Sequence, residues 1–204
     1  MLIASPWVWG PPAAVAGVLA RLYAIEGRRR VLPPSPPSRP GLWFYAHRAH
    51  RLLPFQHFFF RITPTDGHWP KLFPRIFERR DAAGRPYCTL GAGPRDGYLA
   101  LEFNRKFDLE DPITFEEAVV FRDADEEAAV IEAVLKAALC YDQSLRFAAW
   151  SRVTGNGYNC NSMVRELADR AGIPTPAYAW KFMLCPGFGR GLPGRVFHVG
   201  DILL

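Results

Sequence analysis

Between Pro33 and Pro40 the chain runs Pro-Pro-Ser-Pro-Pro-Ser-Arg-Pro. Five fixed φ angles and five missing N–H donors exclude both a helix and a central strand there. The stretch is therefore a stiff linker, and it divides the 204 residues into unequal parts. We place an apolar N-terminal appendage at 1–32, the linker at 33–41 and the main domain at 42–204. Hydrophobic residues make up 49% of the chain, enough for that domain to build one core.

The appendage contains Leu2 to Ala20, nineteen residues without a charge, near the length needed to cross a bilayer. Arg28, Arg29 and Arg30 follow it, as they would on the cytoplasmic side of an anchor. Pro6, Pro11 and Pro12 oppose a continuous helix, and the basic start of a secretory signal is missing. A membrane-associated helix and a buried packing helix both fit. The formal net charge is +5, unevenly spread. Residues 21–106 are net basic and 108–169 net acidic. Basic residues are not interleaved with aromatics as single-strand binders require, so no nucleic-acid partner is expected.

Cys88, Cys140, Cys160 and Cys185 form no Cys-x-x-Cys pair. Structural zinc is not expected, and wide spacing argues against a disulfide framework. His57 to Thr63 is aromatic and lies between Pro54 and Pro64, so it predicts a buried strand. Residues 66–85 read as a loop. Tyr87 to Ala92 and Tyr98 to Asn104 predict two more strands, with Gly91, Gly93, Pro94 and Gly97 in the turn between them. Helices are expected from Asp123 to Tyr141, with Val130, Val134, Leu135 and Leu139 inward, and from Cys160 to Ala171. Strands in one block and helices in another give an α+β fold class.

Cys160 follows a turn-rich approach, Thr154-Gly155-Asn156-Gly157-Tyr158-Asn159, and opens an amphipathic helix. Unpaired N–H groups and the helix dipole favour a thiolate there, the reactive form of cysteine. The same N–H groups suit the oxyanion of a tetrahedral intermediate. Tyr158, Asn159 and Asn161 flank the sulfur and are the expected substrate contacts. Cys88 and Cys140 fit core packing, and Cys185 lies in a Pro/Gly loop. A thiol nucleophile needs a base, and His57, at the head of the aromatic strand, is the histidine expected to serve. His47 and His50 share one face of a helix-like stretch, but no carboxylate joins them, so no metal is expected. No cofactor is expected either. His68 falls in a loop and His198 near the C-terminus.

A histidine opening an aromatic strand, further strands, and then a Cys at a helix start resembles the circularly permuted papain-like superfamily. That group includes permuted NlpC-type cell-wall peptidases and the lecithin retinol acyltransferase-like proteins. Asn159-Cys160-Asn161-Ser162-Met163-Val164 is similar to the Asn-Cys-Glu-His-Phe-Val motif of the latter, and His57-Phe58-Phe59-Phe60 to their His-Trp-Ala-Ile strand. Uncharacterised bacterial domains, some of them attached to Rhs-type toxin repeats, are more similar still. They carry counterparts of His57 to Pro64, of Thr89-Leu90-Gly91-Ala92-Gly93-Pro94 and of Tyr158 to Ser162.

The resemblance implies an antiparallel sheet packed against the helix that bears the nucleophile. It implies a third residue orienting His57, for which Thr89 is the choice, with Asn104, Glu102 and His68 as alternatives. It also implies an amide bond of bacterial cell-wall peptide as substrate, an envelope-acting antibacterial effector and an immunity protein as partner. A membrane-associated lipid thioesterase, phospholipase or acyltransferase, touching the membrane through Leu2 to Ala20, is the second expectation. A non-catalytic binding module on the same fold is the third.

Overall fold

The computed structural model describes residues 39–50, 53–149, 157–177 and 191–197, together with 16, 17 and 20. Nearly all of the appendage, most of the linker, Thr154 to Asn156, Cys185 and His198 lie outside the described residues. No helix among the described residues is long and apolar enough to cross a membrane.

The strands are β1 (Gly41–His50), β2 (Leu53–Thr63), β3 (Arg79–Arg80), β4 (Pro86–Arg95), β5 (Tyr98–Phe103) and β6 (Ile113–Ala118). The helices are α1 (His68–Leu72), α2 (Lys106–Glu110), α3 (Ala124–Cys140) and α4 (Cys160–Arg170), and a 3₁₀ turn covers Gly194–Val196. All the strand pairings are antiparallel, in the order β3-β4-β2-β1-β6, with β5 on β4. The α+β class expected from the sequence is therefore the class observed.

Alternation along the strands gives the sheet two unlike faces. Leu42, Phe44, Ala46, Phe58, Phe60, Ile62, Leu90 and Ala92 belong to the main core, with α3 and α4 packed over them. Each fully buried Phe, Leu or Ile there contributes about 1.5–3 kcal/mol. Their neighbours Tyr45 and Phe59 form a smaller cluster with Ile113 on the opposite face. His47 and His57 lie in the same alternating row as these two, directly opposite each other across β1 and β2.

Asp123 caps α3 by accepting from the N–H of Glu126 at 2.8 Å. Three carboxylates in the first turn complement the dipole. Its buried stripe is Ile131, Val134, Leu135 and Ala138, whereas Leu139 is exposed. The inward face is thus turned by about one residue from the sequence expectation. At the other helix, Arg165 pairs with Asp169 and Arg170 with Glu166 on the outer side. Gly172 adopts φ +67° just past its end, and the N–H groups of Ile173 and Gly172 reach back to the carbonyls of Ala168 and Asp169. That is a Schellman stop, available because glycine tolerates the left-handed conformation.

Three local expectations fail. Residues 66–85 are not all loop, because they include α1, which buries Trp69, and the short strand β3. Gly91, Gly93 and Pro94 lie inside β4, and the β4–β5 turn is Asp96-Gly97, both with positive φ. Asp-Gly suits such a two-residue hairpin turn. His47 and His50 sit in β1, not in a helix, so the argument from their helical spacing falls.

Candidate active site

The β2–β4 ladder pairs Phe60, Arg61 and Ile62 with Leu90, Thr89 and Cys88. Further toward the start of β2, Asn161 takes over that edge. Its Nδ2 donates to the Gln56 carbonyl at 2.9 Å, and its Oδ1 accepts from the Phe58 N–H at 2.9 Å. One side chain thus completes the strand edge on both sides of His57. It fastens the first turn of α4, which begins at Cys160, to the backbone on either side of that histidine.

His57 Nε2 lies 2.9 Å from Asp108 Oδ1, and His47 Nε2 lies 3.3 Å from the same oxygen. All three residues are more than nine-tenths buried. A carboxylate only accepts, so the 2.9 Å contact places the His57 proton on Nε2 and the ring's lone pair on Nδ1. Nδ1 has no hydrogen bond among the described residues. Arg105 stands just before α2. Its Nη1 donates to the Ala92 carbonyl at 2.6 Å and lies 3.4 Å from His57 Nε2, while its Nε is 3.4 Å from Glu102.

Burial lowers the His57 pKa, and the pull of Asp108 in the other direction does not overcome it; His47 and Arg105 lower it further. The ring is therefore neutral at pH 7 and able to accept a proton. Burial alone would raise Asp108. His57, His47 and Arg105 reverse that and hold its carboxyl well below the usual range. Cys160 is different. Burial pushes its thiol up to about 12, although the residue keeps part of its surface open; Arg105 and the N–H groups of Asn161 and Cys160 itself offset this only partly. The expected depression of the thiol pKa is not found.

Asp108, not Thr89, holds the His57 ring. Thr89 is buried in β4 opposite Arg61, and its hydroxyl makes no hydrogen bond among the described residues. Asn104 is committed to the Thr89 N–H and the Ile76 carbonyl, Glu102 pairs with Arg95 and Arg105, and His68 is exposed in α1. None of these orients His57. No sequence pattern marks Asp108, because it belongs to a five-residue helix too short to show periodicity. Its flanking Phe107 and Leu109 are the only local hint.

The expected substrate contacts are also redistributed. Asn159 caps α4, its Oδ1 accepting from the N–H groups of Asn161 and Ser162 at 3.1 Å and its Nδ2 donating to the Ala149 carbonyl. Asn161 is committed to β2, and both asparagines are buried. The Tyr158 backbone pairs with Arg146 and Ala148. Cys160 Sγ lies 3.7 Å from Asn161 Oδ1, and no hydrogen bond joins it to His57 among the described residues. The expectation that no carboxylate stands near the histidines fails too. One nitrogen from each of His47 and His57 and one oxygen of Asp108 lie within 4.8 Å of one another.

Two glycines make this packing possible. A Cβ on Gly91 would sit 2.2 Å from Asp108 Oδ2 and 3.2 Å from the Phe59 Cβ; one on Gly93 would sit 2.3 Å from Arg105 Nη2. Gly91→Ala is therefore expected to push Asp108 off His57 and destabilise the fold by about 1–3 kcal/mol. Chemical denaturation measures the loss of stability, and loss of the downfield His57 Nε2–H resonance reports the broken contact. A variant as stable as the parent with that resonance unmoved would show that the close approach is not required.

No family model, curated protein or solved structure matches this chain.

Proposed function

We propose that the chain is a cysteine hydrolase of permuted papain-like construction that cleaves an amide bond in bacterial cell-wall peptide. The observation that carries this reading is the Asn161 bridge, which fixes the helix start bearing Cys160 to the backbone on either side of His57. His57 in turn has a carboxylate on one nitrogen and a lone pair on the other. That is the division of labour a base needs when it must be held in one tautomer.

In this reading Nδ1 of His57 takes the Cys160 proton as substrate enters, and the thiolate attacks the carbonyl carbon. The oxyanion is received by the Cys160 N–H and the positive field of Arg105, since Asn159 already engages the next two N–H groups. His57 then protonates the departing amine, and water releases the acyl group. Asp108 keeps the ring oriented throughout. The cell-wall substrate, an envelope-acting antibacterial role and an immunity partner rest on the sequence resemblance.

A non-catalytic module is the competing reading, and it draws on the high thiol pKa and the missing Cys160–His57 hydrogen bond. Digestion of purified peptidoglycan separates the two. Fragment release by the full chain, abolished after iodoacetamide modifies Cys160, is the expected result. Undiminished release by the alkylated protein would remove the thiol from the reaction, and no release by either form would favour the module.

A further inference from the structure

We propose that His47, His57 and Asp108 also form a binding site for a divalent transition-metal ion of the zinc class, and that the ion silences the hydrolase. The second half rests on the function proposed above; the binding itself does not.

His47 Nδ1 lies 2.9 Å from the Arg48 carbonyl oxygen and 3.5 Å from Asp111 Oδ2, both acceptors. The 2.9 Å contact therefore places a proton on Nδ1. In the neutral ring Nε2 is then a lone pair, yet it points at a carboxylate oxygen 3.3 Å away. Both ring nitrogens of His47 thus face oxygen acceptors, and one N–H can serve only one of them, which leaves the other nitrogen available to ligate a cation. An imidazole whose other nitrogen donates to a carbonyl, with a carboxylate close by, is the support that metal-bound histidines receive.

The donor set points the same way. Two imidazoles and one carboxylate, leaving a fourth position open, suit zinc-class ions rather than calcium or magnesium. Separations of 2.9 and 3.3 Å from Asp108 Oδ1 are close to the ~3.3 Å between neighbouring ligands around a tetrahedral ion with bonds of about 2 Å. The second carboxylate oxygen of Asp108 is buried without a hydrogen bond among the described residues. Arg105 at 3.4 Å from His57 Nε2 opposes a dication, which makes occupancy reversible rather than structural.

Binding requires the His57 proton to move from Nε2 to Nδ1. That shift fills the lone pair which would accept the Cys160 proton, and the ion also takes Asp108. Base and orienting carboxylate are lost together, with no covalent change.

The test uses the metal-stripped full chain carrying Cys160→Ser, so that this thiol cannot serve as a ligand. Titration with Co²⁺ is expected to give the visible absorption of a four-coordinate ion at one site, and calorimetry with Zn²⁺ to show binding of one ion. His47→Gln should weaken binding by about 100-fold or more, and Asp111→Asn, a partly exposed position, by about 10-fold. No binding, or binding unaffected by either change, overturns the site. In the wild-type chain Zn²⁺ should inhibit hydrolysis, with reversal by chelator and resistance in His47→Gln. Inhibition that persists in His47→Gln overturns the silencing. A chain that binds the ion but hydrolyses nothing leaves the site standing and removes only the hydrolase.

Discussion

Cys160→Ser is expected to lower peptidoglycan hydrolysis by about 10⁴-fold or more while leaving stability within about 1 kcal/mol of the parent. The substitution changes one atom of similar size at a half-buried position on the first turn of α4. Little packing is lost. A serine hydroxyl in the same surroundings is far harder to ionise than a thiol, so the nucleophile disappears while the scaffold stays. The thiol itself starts from an unusual condition, pushed up to about 12 by burial. In the free protein its alkylation rate should therefore climb steadily through the alkaline range, about tenfold per pH unit, without a plateau near neutrality. A neutral-pH plateau would mean a resting thiolate–imidazolium pair, contrary to the geometry described. Activity retained by Cys160→Ser would end the assignment of the nucleophile.

Asn161→Ala is expected to destabilise the protein by about 3 kcal/mol and to abolish turnover with it. The side chain makes two buried hydrogen bonds to β2, and removing it leaves the Gln56 carbonyl and the Phe58 N–H without those partners. Losing a hydrogen bond made to a buried backbone group costs roughly 1–3 kcal/mol. For a chain of this size the melting temperature should fall by about 6–12 °C. The functional consequence follows from position, because the same two bonds hold the helix start beside His57. Thermal unfolding together with a hydrolysis assay measures both. A melting temperature within about 2 °C of the parent would show that β4 or solvent closes this strand edge without Asn161.

How much of the site could be read from the chain depends on what each residue advertises locally. Cys160 and His57 stand out because one opens α4 and the other begins the His57–Thr63 run inside β2, and both elements show strong periodicity over several residues. Asn159 and Asn161 stood out as well, but for the wrong task. Polar residues at a helix start signal a cap as readily as a substrate contact, and only the neighbouring strand decides between them. Gly91 and Gly93 read as turn residues in the sequence because glycine marks turns and close approaches alike. Their purpose, clearance for Asp108 and Arg105, depends on a segment about fifteen residues away. The spacing of His47 and His50 carries no information about a shared face, because that argument holds only on a helix and β1 is a strand.

From the sequence alone come the α+β class, β2, the α3 and α4 helices, and the choice of Cys160 and His57 as the pair on which the proposed mechanism rests. Those features follow from alternation, helical periodicity and capping, which act over a few neighbouring residues. The tertiary structure decided that Asp108 orients His57, that His47 shares that carboxylate, and that Asn161 joins α4 to β2. These contacts span 51, 61 and 103–105 residues. Hydrogen bonds and charges act over a few ångströms in space, whatever the distance along the chain, so no local pattern could announce them.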